Sequence, residues 1–298
     1  MEPAKQSAVW TIARSDNTAP HVSTGLAYAP EASPFTTLLV DLTHRCNMVC
    51  RNCYIPNRDI PDLDTEWLYG ILRRLPRRTR IRLVGAEPTV RRDLPEIIRT
   101  VRRLRHLPVL MTNGLKLRKA AYVRELSAAG MRTVHLSMNG GIDDDLYLAI
   151  DEMRCAGAKR AALDNLCDAG VYVTVGMILV PGVNVAHVRD FWRHLAARPH
   201  AREIHFRSVG EMGRYMEAPA LRLEEMIAIV LDALGTTEDG IRVESRDTNN
   251  FDFRFAGRKF AITQWPDLGS RWRGRLTPEG LVEPCFEHLI ANAAQGGY

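Results

Sequence analysis

Several things are scarce in this sequence, and each scarcity excludes something. No apolar run approaches the roughly 20 residues that a membrane span needs; the longest, around Val171 to Val180, is broken by Thr174 and Gly176. The first ten residues, MEPAKQSAVW, hold no basic stretch followed by an apolar one. A secretory signal is therefore not expected, and the cytoplasm is the expected compartment. Lysine is rare, with only five among the 40 basic residues, so the positive charge is almost all arginine. No internal repeat or low-complexity tract is evident, which sets aside solenoids and disordered chains. What remains is a chain of 298 residues, 46 % hydrophobic and 25 % charged, long enough for one large α/β domain or a main domain with a smaller appendage.

The formal net charge is +5, but its distribution is uneven. Between Arg73 and Arg105 lie twelve arginines and only three acids, a local excess of nine positive charges. Such a stripe suits a nucleic acid, a phosphate-bearing molecule or an acidic protein. The plainer reading is a set of solvated helix faces in an arginine-rich chain. No Phe, Tyr or Trp interleaves with these arginines, so a single-strand-binding surface is not supported and a nucleic-acid partner is not expected.

Residues 1–35 show no clear periodicity and read as an extended arm. From Phe35 an alternation sets in. FTTLLVDL predicts a buried strand, followed by a loop and a helix near Thr65 to Leu75. RIRLVG (80–85), PVLMTNG (108–114), RTVHLSMNG (132–140), VYVTVGMILV (171–180) and REIHFRSVG (202–210) predict five more strands. Helices are expected at Asp93 to His106, with Asp93 as N-cap, and at Arg118 to Ala129, ending at Gly130. Further amphipathic segments run from Asp143 to Gly157, Arg160 to Ala169 and Val185 to Ala196. Strands that alternate with helices form a parallel sheet, because each helix carries the chain back to start the next strand. After Gly213 the pattern changes to a helix near Arg222 to Leu234 and short strand-like pieces, read as a small α+β C-terminal appendage. The expected organisation is thus an arm (1–35), a core (36–213) and a cap region (214–298).

Six cysteines are present, and three of them, Cys46, Cys50 and Cys53, share the spacing CxxxCxxC just after the first strand. Ligands of α/β sheets gather at the carboxyl ends of strands, so the place suits a site. Three thiolates can hold three irons of a [4Fe–4S] cluster and leave the fourth iron open. A zinc site would need a fourth ligand, for which His44 is near enough in sequence, but no second ligand pair follows downstream. A disulfide would conflict with the expected compartment and leave an odd thiol. Cys155 and Cys167 fall in predicted helices and read as buried and inert.

At these residues the sequence resembles the radical S-adenosylmethionine (radical SAM) superfamily, across roughly Phe35 to Gly213. GAEPTVRRDLPEII (85–98) is similar to its GGEP motif, TNG (112–114) and LSMNG (136–140) to its third and fourth strand ends, and LVPGVN (179–184) to its fifth. The resemblance implies an α/β fold, a partial (βα)6 TIM-type barrel. It implies one [4Fe–4S] cluster on Cys46, Cys50 and Cys53, with the amino and carboxylate groups of SAM on the fourth iron. Glu87 would accept a hydrogen bond from the SAM amino group, beside the backbone of Gly85, Ala86 and Pro88. Asn113, Ser137 and Asn139 would line the same pocket, and Val180, Pro181 and Gly182 would face the adenine. Ala86 replaces the second glycine of GGEP, tolerable if its φ is negative. Asn52 stands where an aromatic residue is common before the last cysteine, with Tyr54 next to the cluster loop as a substitute. The implied chemistry is one-electron cleavage of SAM, fed by an external donor such as flavodoxin or ferredoxin, to a 5′-deoxyadenosyl radical that takes hydrogen from a substrate.

The tail segment RWRGRLTPEGLVEPCF (271–286) resembles the C-terminal part of GTP 3′,8-cyclases and, more loosely, SPASM-type relatives. Those carry further cysteines for a second cluster; here Cys285 stands alone, so a single cluster is expected. Alternate residues of a strand share a face, which would let Arg271, Arg273 and Arg275 line one surface. Arginine suits bidentate phosphate recognition. Arg207 and Arg214, near the sixth strand end, are further substrate candidates. Cys285 is a candidate hydrogen donor, with Tyr215 and His205 as nearby alternatives. The favoured substrate is a small anionic metabolite, such as a nucleotide or sugar nucleotide, in cofactor or specialised-metabolite synthesis. A peptide-modifying enzyme is the alternative within the superfamily, although the 35-residue arm is short for a peptide-recognition domain. From another class comes a zinc-stabilised, arginine-rich nucleic-acid-binding protein.

Overall fold

A computed structural model describes residues 26–53, 55, 57–210, 218–265 and 272–285; Tyr54, Arg214, Tyr215 and Arg271 lie outside them. Six strands run in parallel and in chain order across the middle of one sheet: β1 (Thr37–Asp41), β2 (Arg80–Val84), β3 (Leu107–Thr112), β4 (Thr133–Ser137), β5 (Tyr172–Leu179) and β6 (Ala201–Ser208). The crossovers carry α1 (Thr65–Arg74), α2 (Leu94–Arg103), α3 (Ala120–Ala128), α4 (Asp144–Asp151), α5 (Ala156–Asp168) and α6 (Val188–Ala196), and α7 (Leu223–Leu234) follows β6. The face of the strands that meets the helices is apolar because the helices cover it. Leu38, Val40, Ile81, Leu83, Leu110, Val134 and Leu136 join the main core with helix residues such as Leu68, Ile97 and Leu126. Alternate positions turn the other way, so Leu39, Val84 and Met111 pack inside the barrel with Cys285.

The tail does not stand apart from this sheet. An open six-stranded array leaves unpaired edges at β1 and β6, and the described tail strands cover both. β9 (Arg258–Thr263) pairs parallel with β6 and is extended by β8 (Asn250–Phe255) and β7 (Arg242–Arg246). On the other side β10 (Arg273–Leu276) pairs parallel with β1, and β11 (Val282–Pro284) closes against β10. The result is an eleven-stranded sheet. FDFRFAGRKFAIT is not one strand but a hairpin, turned at Ala256 (φ 47°) and Gly257 (φ 76°). Two successive residues of positive φ make the turn whose twist matches that of the flanking strands.

Two helix boundaries differ from the sequence reading. The segment Asp143 to Gly157 is not one helix: α4 stops where Glu152 adopts φ 54°, and α5 starts at Ala156, four residues before the expected start. Cys155 is therefore not inside a helix but at the N-cap of α5, while Cys167 is within it. Asp93 does occupy the N-cap of α2, but its carboxylate makes no cap, because Arg91 takes both oxygens.

Candidate active site

The loop after β1 is fixed from below before its cysteines are reached. Leu42 N–H donates to Val84 O (3.0 Å), Ala86 N–H to Thr43 O (2.8 Å) and Glu87 N–H to Arg45 O (3.1 Å), so the loop is zipped to the end of β2. That approach requires Gly85: its φ is +111°, and a Cβ there would lie 2.3 Å from Thr43 O. Ala86 is not among the positive-φ residues, so its methyl group is accommodated. Arg91 is buried and donates to Leu42 O (2.8 Å) and Leu63 O (2.7 Å), closing the loop from its far side. Thr43 Oγ1 donates to Asp62, which also pairs with Arg45.

Cys46, Cys50 and Cys53 are half-buried free thiols on this loop. Met48 N–H points at Cys46 Sγ (3.4 Å), Asn113 Nδ2 lies 3.8 Å from the same sulfur, and Arg58 donates to Cys53 Sγ (3.3 Å). N–H donors of this kind stabilise sulfur-borne charge at an iron–sulfur centre. Burial pushes the Cys46 thiol up, and burial with the nearby Asp151 carboxylate pushes Cys50 up strongly, so deprotonation there needs a bound metal to offset it. The donor set and its setting fit three ligands of a multi-iron cluster. Among the described residues no three His, Cys, Asp or Glu side chains converge on the position of a single ion. His44 is turned elsewhere, its Nδ1 3.3 Å from Asn57 O. Cys155 packs in the same small apolar group as Cys46, Cys50 and Met48, and burial pushes its thiol up to about 11.

The strand ends around the loop carry the other candidates. Glu87 is fully buried, and its carboxylate accepts from Thr89 N–H (3.1 Å), Thr89 Oγ1, Thr112 Oγ1 (2.6 Å) and Asn113 N–H (2.7 Å). Three of these bonds fall on Oε1 and one on Oε2, and together they bolt the end of β2 to the end of β3. Asn113 extends that link, with Nδ2 donating to Asn47 Oδ1 (2.8 Å). Asn139 spans β4, β5 and α4: its Nδ2 donates to Asp151 (3.1 Å) and its Oδ1 accepts from Ile178 N–H (3.1 Å). Ser137 is half-buried at the end of β4, and its carbonyl accepts from Lys159 Nζ (2.9 Å). Val180 is buried, Pro181 half-buried and Gly182 exposed; Asn52 is half-buried on the cysteine loop.

Inside the barrel the structure gathers basic side chains. Arg273 and Arg275 share the interior face of β10, but Arg275, fully buried, is gripped at both ends by Asp41 (Nε and an Nη each 2.7 Å). Its expected place facing a substrate is taken by this bidentate pair, because β10 pairs with β1 in the register Leu39↔Arg275, within reach of Asp41. Arg82 on β2 lies beside Arg273 and Arg207; burial, then the charge of Arg273, push its guanidinium down to about 10. Arg82 makes no hydrogen bond or ion pair among the described residues. His135 and His205 meet edge to face, ring centroids 5.8 Å apart. His205 Nε2 lies 2.9 Å from Thr263 Oγ1, which donates to Asn250 Oδ1 (2.9 Å). His135 is buried, and its Nε2 has no hydrogen-bond partner among the described residues. Burial and the charge of Arg207 hold both rings well below the usual histidine range. Cys285 is buried here too, its N–H on Arg273 O (3.2 Å).

Sequence reading missed Arg82, His135, Lys159 and Asn184. The first two carry a signal, since both sit at alternate, inward positions of strands that the pattern identifies. Asn184 ends the LVPGVN motif, which marks the segment but not its role, and Lys159 carries no signal, because only the packed structure shows that it is buried.

The comparisons with known proteins agree with this arrangement. The family model described as "Radical SAM superfamily" matches residues 40–195. The chain is 32 % identical over 199 residues to the 7,8-dihydro-6-hydroxymethylpterin dimethyltransferase of Methanocaldococcus jannaschii, across 62 % of this chain but only 39 % of that protein. It is 26 % identical over 281 residues to a probable GTP 3′,8-cyclase of Methanococcus aeolicus, covering 84 % of this chain and 85 % of the relative. In fold it is similar to Streptococcus suis SuiB, solved bound to S-adenosylmethionine, with a TM-score of 0.62 at 13 % identity over 84 % of this chain and 60 % of SuiB.

Proposed function

Since the chain belongs to the radical SAM superfamily, an enzyme family that uses a [4Fe–4S] cluster and S-adenosylmethionine, we propose that it takes hydrogen from a small anionic metabolite, a nucleotide, sugar nucleotide or similar molecule, held inside the barrel. When bound, the two cofactors supply one-electron cleavage of the sulfonium to the 5′-deoxyadenosyl radical. Cys46, Cys50 and Cys53 would hold three irons, with the N–H groups of Met48 and Arg58 supporting the sulfurs. The backbone of Gly85 to Pro88, the Ser137 hydroxyl, Asn113 and Val180 to Gly182 stand at neighbouring strand ends and would receive S-adenosylmethionine. Asn139 would set the separation of those ends. Cys285 would be the hydrogen donor, with a thiol that burial keeps protonated.

The observation that carries the anionic substrate is Arg82. Arg82 is half-buried inside the barrel, where a cation is costly unless an anion accompanies it, and it makes no ion pair among the described residues. Desolvation, then the charge of Arg273, push the Arg82 guanidinium down to about 10. A phosphate would satisfy it through paired N–H···O bonds. His135 and His205, held neutral, can accept or donate hydrogen bonds to the same molecule without adding charge.

The test is anaerobic reconstitution with iron and sulfide, iron counting, and measurement of 5′-deoxyadenosine. About four irons per chain and slow release of 5′-deoxyadenosine are expected, both lost in Cys46→Ala. Release should rise with phosphorylated nucleosides or sugars and not with their neutral parents, and Arg82→Met should lose that rise at unchanged iron content. Stimulation by neutral peptides that is indifferent to Arg82→Met would replace the anionic metabolite with a peptide.

A further inference from the structure

Six of the twelve arginines of the stripe come together at the end of the barrel opposite the cysteine loop. Arg73 lies in the last turn of α1, Arg77 and Arg78 lie in the connection to β2, Arg102 and Arg103 end α2, and Arg105 follows it. These six side chains line a cleft of about 750 Å³. Its two walls are locked together by His106, which is buried between them: Thr79 N–H donates to Nδ1 (3.2 Å), and Nε2 is 2.9 Å from Leu72 O. The cleft is therefore formed before any ligand arrives.

None of the six arginines makes an ion pair among the described residues, whereas Arg74 and Arg99, close by in sequence, are paired with Glu31 and Glu96. Helix ends explain part of the set, since the carboxyl end of a helix carries about half a negative charge and favours cations in its last turn. That covers Arg73, Arg102 and Arg103. Arg77, Arg78 and Arg105 lie beyond the helices, and six positive charges far outweigh about one negative charge from two helix ends. Arg105 points the same way for a separate reason. Its φ is 67°, and it closes α2 with Arg105 N–H on Arg102 O and His106 N–H on Val101 O, where glycine is the usual residue. Arginine is placed there against the local preference of the backbone.

We propose that this cleft binds a condensed phosphate chain, either free polyphosphate or the triphosphate of a nucleotide. Guanidinium forks match phosphate oxygens in pairs. No Phe, Tyr or Trp lines the cleft, so it offers no stacking platform for the bases of a single strand. The site lies at the amino ends of β2 and β3, away from the cysteine loop, so its ligand does not compete with S-adenosylmethionine.

The experiment is calorimetric titration of inorganic tripolyphosphate into the full, cluster-loaded chain at two salt concentrations. Binding should weaken with salt and fall at least about tenfold in the double variant Arg77→Glu, Arg78→Glu, at unchanged iron content. Arg105→Gly relieves the backbone and should raise the Tm while weakening tripolyphosphate, a pair of opposite shifts that loss of folding cannot produce. ATP binding as tightly as tripolyphosphate supports the site with a nucleotide as source; binding of tripolyphosphate alone supports it with a free chain. The proposal is overturned if tripolyphosphate does not bind, if it binds all variants like the parent, or if an oligothymidylate of equal charge binds more tightly.

Discussion

Glu87 and His135 show how a single residue can be visible in a sequence and still change its role in the fold. The GAEP context marks Glu87, but four donors from Thr89, Thr112 and Asn113 meet its carboxylate, and two of those donors, from Thr112 and Asn113, come from residues that sequence alone does not bring near it. His135 and His205 are each an isolated histidine in an apolar strand, and their meeting depends on the strand register. Their titration gives a prediction at this scale. In the folded chain both are held neutral well below 6.5, so the unfolded chain binds protons first as the pH falls. Stability should be full above about pH 6.5 and decline below it, by up to about 1.4 kcal/mol per pH unit for each histidine. Urea unfolding of the cluster-loaded protein between pH 7.5 and 5.5 measures this, and His135→Gln should flatten the slope. An equal slope in that variant would remove His135 from the account.

Elements meet at this site through their ends. The strands themselves follow from alternation and apolar content, and all six core strands are legible in the sequence. Their ends are held by side chains whose partners are remote, which is why LVPGVN reads as a motif without revealing what its asparagine does. Asn184 is fully buried; Oδ1 accepts from Val180 N–H (2.8 Å), and Nδ2 donates to Asn139 O (2.8 Å) and Ile178 O (2.7 Å). It joins the ends of β4 and β5. Asn184→Ala strands those three backbone groups and is expected to cost about 2–4 kcal/mol, measured by urea unfolding, and to weaken S-adenosylmethionine binding. A loss below about 1 kcal/mol would mean that water replaces the side chain. The break between α4 and α5 is likewise invisible in the sequence: helical periodicity runs through it, and the left-handed turn at Glu152 precedes Cys155, which packs against the cysteine loop.

Across the whole molecule, charge is sorted into two basic regions at different places, the barrel interior and the cleft at its amino end. A half-buried cation held for a ligand lowers the stability of the empty protein. Arg82→Met should therefore raise the unfolding free energy by roughly 1 kcal/mol while impairing anionic substrates; a lower stability would show that Arg82 is satisfied within the protein. By itself the sequence determined the parallel α/β core, the CxxxCxxC loop and the strand-end motifs, because periodicity and short spacings are local properties. Only the tertiary structure decided that the tail completes both edges of the sheet, that Arg275 pairs with Asp41 while Arg82 makes no ion pair among the described residues, and that six scattered arginines share one cleft. Those outcomes depend on register and on contacts between residues far apart in the chain, 234 positions for Arg275 and Asp41, and no local pattern encodes such separations.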